Sequence, residues 1–291
     1  MDKIAFVTSI ANTEITSDDH LIVDQLAMHN VEVVSAPWDS TKVNWGDFKA
    51  IVFRSCWNYH HKPNEFNVWL EKMNLLNLPF LNPVKVVQWN LHKQYLFELQ
   101  SKGFAVPPGI LIEQNNHTSL QEVMDEKDWD KIVIKPAVSA TAKDTWVASR
   151  VSLNGAQKRF NESLSQADII IQKFIPEVLQ HGEVSLIYIN KHFSHAVLKK
   201  PKQGDFRVQN DFGGTVEPLT PSPDIIQQGE KIVHAIDYPL LYARVDGVIS
   251  NGKLVLLELE LIEPVLFLKY SAIAASLMAK GIIDTLKKHY E

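Results

Sequence analysis

The chain has 291 residues, 45% hydrophobic and 22% charged, the mix of a globular protein with one large core or two to three smaller lobes. A formal net charge of −5 speaks against a nucleic-acid partner, and the single cysteine, Cys56, excludes a disulfide framework and a cysteine zinc cluster while matching a reducing compartment. The opening residues lack the basic start and apolar run of a signal peptide, and no stretch approaches about 18 uninterrupted apolar residues, so a cytoplasmic protein without a membrane span is expected.

In chain order, "KIAFVTSI" (3–10) has the pattern of a short buried strand, and Ser17-Asp18-Asp19 starts a helix that runs to about Met28. "VEVVSA" (31–36) and "FKAIVFR" (48–54) are further strands, Pro63 opens a helix to about Asn74, and "LPFLN" (78–82) is a short strand. Strands alternating with helices predict a parallel sheet in a lobe of about 85 residues. No Gly-x-Gly-x-x-Gly follows the first strand, so this lobe is not read as a dinucleotide site. From Asn90 the texture changes. "NLHKQYLFELQSKG" predicts one helix ending at Gly103. "KIVIKP" (131–136) is a strand ending near a lysine, followed by the small and polar run "AVSATAKDT". A helix near 155–166, the strand "DIIIQKFI" (168–175) and the strands "EVSLIYI" and "HFSHAVL" precede a long loop, 199–221. A helix, a hairpin and a helix over 269–290 complete the reading. Strands this close together, without intervening helices, predict antiparallel sheets.

The hairpin, "RVDGVISNGKLVLLELELIEP" (244–264), is apolar yet carries Arg244, Asp246, Glu258 and Glu260. Side chains alternate faces along a strand, so each pair points one way. A two-residue Asn251-Gly252 turn places Asp246 opposite Leu257, sends Glu258 to the other side and so scatters the charges over both faces. A three-residue Ser250-Asn251-Gly252 turn pairs Arg244 with Glu258 and Asp246 with Leu256, and puts all four on one face. The second register is preferred. Three carboxylates on one face repel, by on the order of 4 kcal/mol per pair at a separation near 4 Å and an effective dielectric of about 20. A hard divalent cation relieves this, and oxygen-only ligands suit magnesium, with a solvated face and an incidental salt bridge as the alternative.

Lys135 stands at the mouth of a loop of small side chains (Ala137, Ser139, Ala140, Ala142), which let backbone amides approach an anion. "KKPKQGDFRVQNDFGG" (199–214) adds Lys199, Lys200, Lys202, Arg207 and the turn-forming pair Gly213-Gly214. A basic loop before an acidic strand pair suits a magnesium–triphosphate site or, equally, a solvated surface. Arg54, at a strand's C-terminal end, reads either as a fork for a substrate carboxylate or as an ion pair, with Trp57 and Tyr59 as walls of the same pocket. No nucleophile constellation and no zinc spacing among the 11 histidines is found.

The order of Lys93, Lys135, "QKFI", Glu183, "GDFRVQN…GG", "ARVD" and "ELE" resembles the ATP-grasp superfamily of ligases, over essentially the whole chain. "YARVD" with its later "E-x-E" is similar to the magnesium hairpin of D-alanine–D-alanine ligase, and "GDFRVQNDFGG" to the phosphate loop of glutathione synthetase and of ribosomal-protein glutamate ligases. "RSCWNYHHKPNEFNVWL", "KPAVSATAKDT" and "YARVDGVI…LELELIEPVLF" resemble the branch of ligases that closes the D-cycloserine ring. The resemblance implies an α/β (α+β) ATP-grasp fold. It divides into an N-terminal parallel-sheet lobe on the substrate side (1–85) and an ATP-grasp domain (86–291), with subdomains of about 86–171 and 172–291.

The resemblance also implies that Lys93 and Lys135 bind the α- and β-phosphates with help from Ser139. Gln172, Lys173, Phe174 and Ile175 would hold adenine, and Glu183 the ribose. Lys199 and Arg207 would neutralise the γ-phosphate, Arg244 would stabilise the transferred phosphoryl group and the later oxyanion, and Asp246, Glu258 and Glu260 would hold Mg²⁺ or Mn²⁺. Glu260 stands where many members have Asn, one negative charge more than that pattern. The implied reaction turns a carboxylate into an acyl phosphate at the expense of ATP and joins it to an amine, on a small amino-acid-like substrate, with loop 137–145 as a lid. A carboxylate–thiol ligase and a non-catalytic nucleotide-binding regulator share these ATP-site residues. A homodimer is the expected assembly, with neither nucleic acid nor membrane as partner.

Overall fold

Along β1 (Asp2–Thr8) the side chains divide with a period of two: Ile4 and Phe6 enter one core, Ala5 and Val7 another. The same split runs through β3 (Ala50–Phe53), whose Ala50 and Val52 join the first core and whose Ile51 and Phe53 join the second. With β2 (Val31–Pro37) and β4 (Phe80–Leu81) these strands form a sheet in the order β2-β1-β3-β4, parallel throughout, as the alternation of strands and helices predicts. A sheet buried on both faces needs helices on both. One face is covered by α1 (Ser17–Ala27), the other by an aromatic cluster in which Phe66 and Trp69 of α2 (Pro63–Asn74) meet Trp38 and Trp45. This is a computed structural model, and it describes residues 1–140, 144–202, 207–208 and 213–290.

Two antiparallel sheets follow. The smaller runs β5-β8-β6-β7, from β5 (Gly109–Ile112), β6 (Lys131–Pro136), β7 (Trp146–Ser149) and β8 (Ile169–Lys173), backed by α5 (Leu120–Lys127) and α6 (Leu153–Leu164). The larger runs β11-β10-β9-β12-β13, from β9 (Glu183–Ile189), β10 (His192–Lys200), β11 (Thr215–Leu219), β12 (Tyr242–Ser250) and β13 (Lys253–Glu260). Helices α7 (Glu177–His181) and α8 (Pro223–His234) pack on it, and close approach of α8 to Tyr188 requires a glycine: a Cβ on Gly229 would lie 2.1 Å from the Tyr188 hydroxyl. The mixed α/β architecture is the one expected. Strand β11 lies inside the stretch read as a long loop, where its exposed, Pro-containing sequence gives little strand signal.

Two expectations need correction. The helix read over 90–103 is broken into α3 (Val84–Leu91) and α4 (Tyr95–Ser101), with His92 extended between them (φ −101°, ψ 119°). The break follows from Lys93, whose amide donates to the Ala137 carbonyl at 2.8 Å and whose ammonium donates to the Ser139 carbonyl at 2.7 Å. Such tertiary partners outweigh local helix propensity.

The hairpin register also differs. Ser250 pairs with Lys253 across Asn251 and Gly252, both at positive φ (50° and 73°), so the turn has two residues and not three. The extra residue sits further along β13, where a bulge leaves Leu257 between the pairs Gly247–Leu256 and Asp246–Glu258. Arg244 therefore faces Glu260 and not Glu258, and Asp246 faces Glu258 and not Leu256. All four charges still share a face, because one extra residue on β13 has the same effect wherever it falls between turn and site. Gly247 makes the close pairing possible, since a Cβ there would lie 2.6 Å from the Val255 carbonyl oxygen.

Strand β13 is a sheet edge, and side chains from α3 and α4 take the place of a further strand. Asn90 Nδ2 donates to Leu259 O at 2.8 Å, Asn90 Oδ1 accepts from Leu261 N at 2.9 Å, and the Tyr95 hydroxyl accepts from Leu259 N at 3.0 Å. Asn90→Ala leaves a buried donor and a buried acceptor unsatisfied, so a loss of about 2–4 kcal/mol in urea unfolding is expected. A loss below about 1 kcal/mol contradicts the strand-replacement account.

Candidate active site

Burial of the β12–β13 face forces its charges to find one another. Asp246, almost fully buried, accepts from Arg244 Nη2 (2.9 Å) and Nε (3.0 Å), from Lys199 Nζ (3.2 Å) and from the Ser185 hydroxyl (2.5 Å). Lys199 also pairs with Glu183, and Arg244 Nη2 with Glu260. Lys93 meets Glu258 at 2.8 Å. The result is a chain of alternating charges across β9, β10, β12, β13 and the α3–α4 junction.

The balance is uneven. Burial alone would raise the Asp246 carboxyl, but Arg244 and Lys199 outweigh it and hold the group well below the usual range. Glu258 is likewise lowered, burial being outweighed by Lys93 and Lys135. Glu260 goes the other way: burial, with Asp246, Glu258 and Glu263 nearby, pushes it well above the usual range in spite of Arg244. This face carries more acid than its cations neutralise. Oxygen donors at Asp246, Glu258 and Glu260 fit a hard divalent cation by chemistry and by this excess charge. Among the described residues, however, no three His, Cys, Asp or Glu side chains converge as a ready-made cage, because each carboxylate is turned onto a lysine or arginine.

Two adjoining cavities meet at this face. One, of about 130 Å³, is lined by Lys93, Lys135, Ser139, Gln172, Lys173, Phe174, Ile175, Glu183, Arg207, Asp246, Glu258 and Glu260. It gathers residues from both antiparallel sheets, with the exit of β8 as its wall: Lys173 N donates to Pro108 O at 2.8 Å and Phe174 N to Lys131 O at 3.0 Å, which fixes the strand end. Lys135 lies beside Lys93, and burial, with that neighbour, lowers its ammonium to about 8. Two lysines forced together in a cavity are a site for anionic charge.

The second cavity, of about 310 Å³, is lined among others by Trp57, Tyr59, Lys93, Lys199, Arg244, Glu258, Glu260, Glu263 and Phe267. Residues 141–143 of the expected lid, and 203–206 and 209–212 of the basic loop, lie outside the described residues.

Arg54, named from sequence for a substrate carboxylate, lines neither cavity, and neither do Lys200 and Lys202 of the basic loop. Arg54 is 3% exposed, its Nε donates to Asp19 Oδ1 at 2.8 Å, and its Nη2 donates to Pro264 O at 2.9 Å. The ion-pair alternative is the one the structure shows, in a buried and not a surface form, because Asp19 of α1 reaches the end of β3.

Arg54 belongs instead to a support for the irregular segment after β13. Leu261 O accepts from Asn82 Nδ2 (2.8 Å), Ile262 O from the Tyr242 hydroxyl (2.7 Å), Glu263 O from Trp57 Nε1 (3.2 Å), and Val265 O from Arg244 Nη1 (2.9 Å). His195 Nε2 lies 3.0 and 3.1 Å from Leu266 O and Phe267 O and acts as donor to them. Each carbonyl from Leu261 to Phe267 thus has a side-chain donor. Sequence reasoning missed Glu263, Phe267 and His195. The only signal was Pro264 breaking the strand pattern directly after the acidic Glu263.

A family model described as the N-terminal domain of the D-cycloserine synthetase DcsG matches residues 4–82. The cycloserine biosynthesis protein DcsG of Streptomyces lavendulae is 26% identical over 304 residues, covering 99% of this chain and 100% of that protein. The crystal structure of D-cycloserine synthetase DcsG superposes with a TM-score of 0.86 at 25% identity, over 98% of this chain and 99% of that one. The D-alanine–D-alanine ligase from Bacillus anthracis complexed with ATP superposes with a TM-score of 0.66 at 13% identity, over 99% and 98%. The chain is homologous to D-cycloserine synthetase and is an ATP-dependent ligase with the ATP-grasp fold. No helix among the described residues is long and apolar enough to cross a membrane.

Lys135 gives this site a pH signature. Its folded value of about 8 lies below the usual 10.5, so between these two values the unfolded chain binds the extra proton and stability rises with pH. Below about pH 8 the whole penalty remains. Lys135→Met should lack that rise and exceed the unmodified protein in ligand-free stability at pH 7 by about 1–3 kcal/mol. Urea unfolding of both proteins between about pH 7 and 10 checks this, and parallel curves contradict it.

Proposed function

We propose that this ligase uses ATP and Mg²⁺ to activate a carboxylate, or a related acyl group, as an acyl phosphate and joins it to an amine, on small amino-acid-like substrates. One observation carries the reading: the lysine-lined cavity and the larger one share Lys93, Ser139, Glu258 and Glu260, so a phosphate in the first borders a substrate in the second.

In this reading Gln172, Lys173, Phe174 and Ile175 at the β8 exit hold the adenine, and Glu183 holds the ribose. Lys93 and Lys135 take the α- and β-phosphates, with Ser139 at the same wall. The Bacillus anthracis ligase of similar fold binds ATP, which supports the choice of nucleotide. Lys199 and Arg207 neutralise the γ-phosphate. Asp246, Glu258 and Glu260 hold Mg²⁺, once the phosphates draw off the lysines and arginine that now pair with them. The metal ion supplies charge neutralisation between phosphate oxygens.

A substrate carboxylate oxygen attacks the γ-phosphorus, the bond to the β,γ-bridging oxygen breaks, and ADP leaves. The neutral amine nitrogen then attacks the acyl carbon, the bond from that carbon to the phosphate oxygen breaks, inorganic phosphate leaves with the electron pair, and the nitrogen gives up a proton to it or to solvent. Arg244 lines the larger cavity, with Nη1 held by Val265 O and Nε and Nη2 by Asp246 and Glu260, and in this reading it stabilises first the phosphoryl group and then the oxyanion once the metal takes up those carboxylates. Such chemistry needs positioning and charge neutralisation and no protein nucleophile. Trp57 and Tyr59 bring the N-terminal lobe (1–85) to the substrate, while residues 86–291 hold the nucleotide. Arg54 acts on the substrate only through the Pro264 segment.

Release of ADP over a matrix of small carboxylates and amines tests the reaction, and release that never exceeds the substrate-free background contradicts it. Glu260→Gln tests the metal site. Its charge is disfavoured in the free protein, so the variant should melt no lower than the unmodified one, and the stabilisation by Mg²⁺–ATP should shrink. A variant that melts several degrees lower yet keeps the full ligand effect would make Glu260 a structural partner of Arg244.

A further inference from the structure

Three carboxylates line the larger cavity, and they are not equivalent. Glu258 is held by Lys93 and Glu260 by Arg244. Glu263 enters no ion pair among the described residues, although it is only 8% exposed. Among the described residues its side chain is held by a hydrogen bond from the Tyr59 hydroxyl. Its backbone is fixed, because Trp57 Nε1 donates to Glu263 O and the neighbouring carbonyls are held by Tyr242 and Arg54. A buried carboxylate without a cation is costly unless a partner completes it. The protein spends several side chains on aiming this one into the cavity.

We infer that Glu263 is the subsite for a primary ammonium group of the substrate, with Tyr59 orienting the carboxylate and Trp57 closing the wall beside it. This rests on the proposed ligase reading, which makes the larger cavity the substrate chamber, and it narrows the substrate class to compounds bearing a primary amine. The surrounding shape agrees. The Arg244 guanidinium, placed for an acyl group, lines the same chamber, so the chamber offers both an acidic and a basic group, as a zwitterionic amino-acid-like molecule requires. Burial pushes the Glu263 carboxyl up to about 7 despite its hydrogen bond from Tyr59 and the nearby Arg244, which marks a charge short of compensation. A cation–carboxylate contact in such surroundings is stronger than a neutral hydrogen bond.

Calorimetry on the full chain with Mg²⁺ and a non-hydrolysable ATP analogue tests the assignment. The probes are two matched pairs, D-cycloserine against isoxazolidin-3-one and D-alanine against propionate, which differ in the amine alone. On the unmodified protein the amine-bearing member of at least one pair should bind about 10-fold tighter than its partner. In Glu263→Gln this preference should fall to within about 3-fold, while affinity for the ATP analogue stays unchanged. Glu263→Asp, which keeps the charge on a shorter arm, should retain part of the preference. Absence of any amine preference in the unmodified protein overturns the inference, and so does a full preference in Glu263→Gln. The comparison on the unmodified protein stands even if a variant does not fold. Failure of the ATP analogue to bind, with the amine preference intact, would instead overturn the ligase reading and leave the ammonium subsite standing.

Discussion

A strand face carrying Arg244, Asp246, Glu258 and Glu260 is buried between two sheets, and much of the surrounding structure answers that one electrostatic demand. Like charges about 4 Å apart cost on the order of 4 kcal/mol at an effective dielectric of about 20. Each acid is therefore met by a base from another element: Lys199 from β10, Lys93 from the α3–α4 break, Arg244 from the neighbouring strand position. These bases come from positions far apart in sequence, so the charge cluster and the tertiary fold are the same arrangement seen twice. Lys93 and Lys135 share one cavity, where Glu258 is the acid that offsets their mutual repulsion.

The second support is a backbone one. From Leu261 to Phe267 the chain leaves the sheet, and no strand is available to satisfy its carbonyls. Side chains from the parallel-sheet lobe (Arg54, Trp57, Asn82) and from the large antiparallel sheet (His195, Tyr242, Arg244) do so instead. The segment is thereby tied to both bodies, and a change at either is felt at the cavity wall. Phe267 sits at positive φ (53°) in this segment and lies under the Arg244 guanidinium at 5.6 Å, so the strain is held where the site needs shape.

Much of this was legible in the sequence, for reasons that can be named. The alternation of strands with helices exposed the parallel sheet, and the apolar run Ile4-Ala5-Phe6-Val7 is what a strand buried on both faces requires. The shared face of the four charged residues was legible because period two is robust to where a bulge lies. The bulge itself was not, because Leu257 looks like its neighbours and nothing local tells an extra residue at the turn from one further along. The helix break at His92 was hidden for a similar reason: residues 90–103 have good helix propensity, and the partners that override it, Ala137, Ser139 and Glu258, are distant in sequence. Arg54 showed the right residue type at a strand end, but its partner Asp19 belongs to a helix face that sequence could not orient. Glu263 carried no pattern at all. Its significance lies in which neighbours are already paired, a property of three dimensions.

The first core of the parallel sheet has an origin that bears on how the chain reaches its fold. Ile4, Phe6, Ile22 and Leu26 are covered by Met278, Ala279, Ile282 and Leu286 of α9 (Ala274–Tyr290), and α9 also packs against Ile187 and Ile189 of β9. Tyr290 reaches back to donate to Lys49 O at 2.9 Å. During synthesis the first strands and α1 leave the ribosome with this core covered on one side only, and it stays incomplete until residues 274–286 have also emerged. The parallel sheet, although its strands are contiguous in sequence, cannot complete its core as an early, independent unit. Its assembly is gated by translation of almost everything in between, and the nascent chain must keep the uncovered side soluble for the interval.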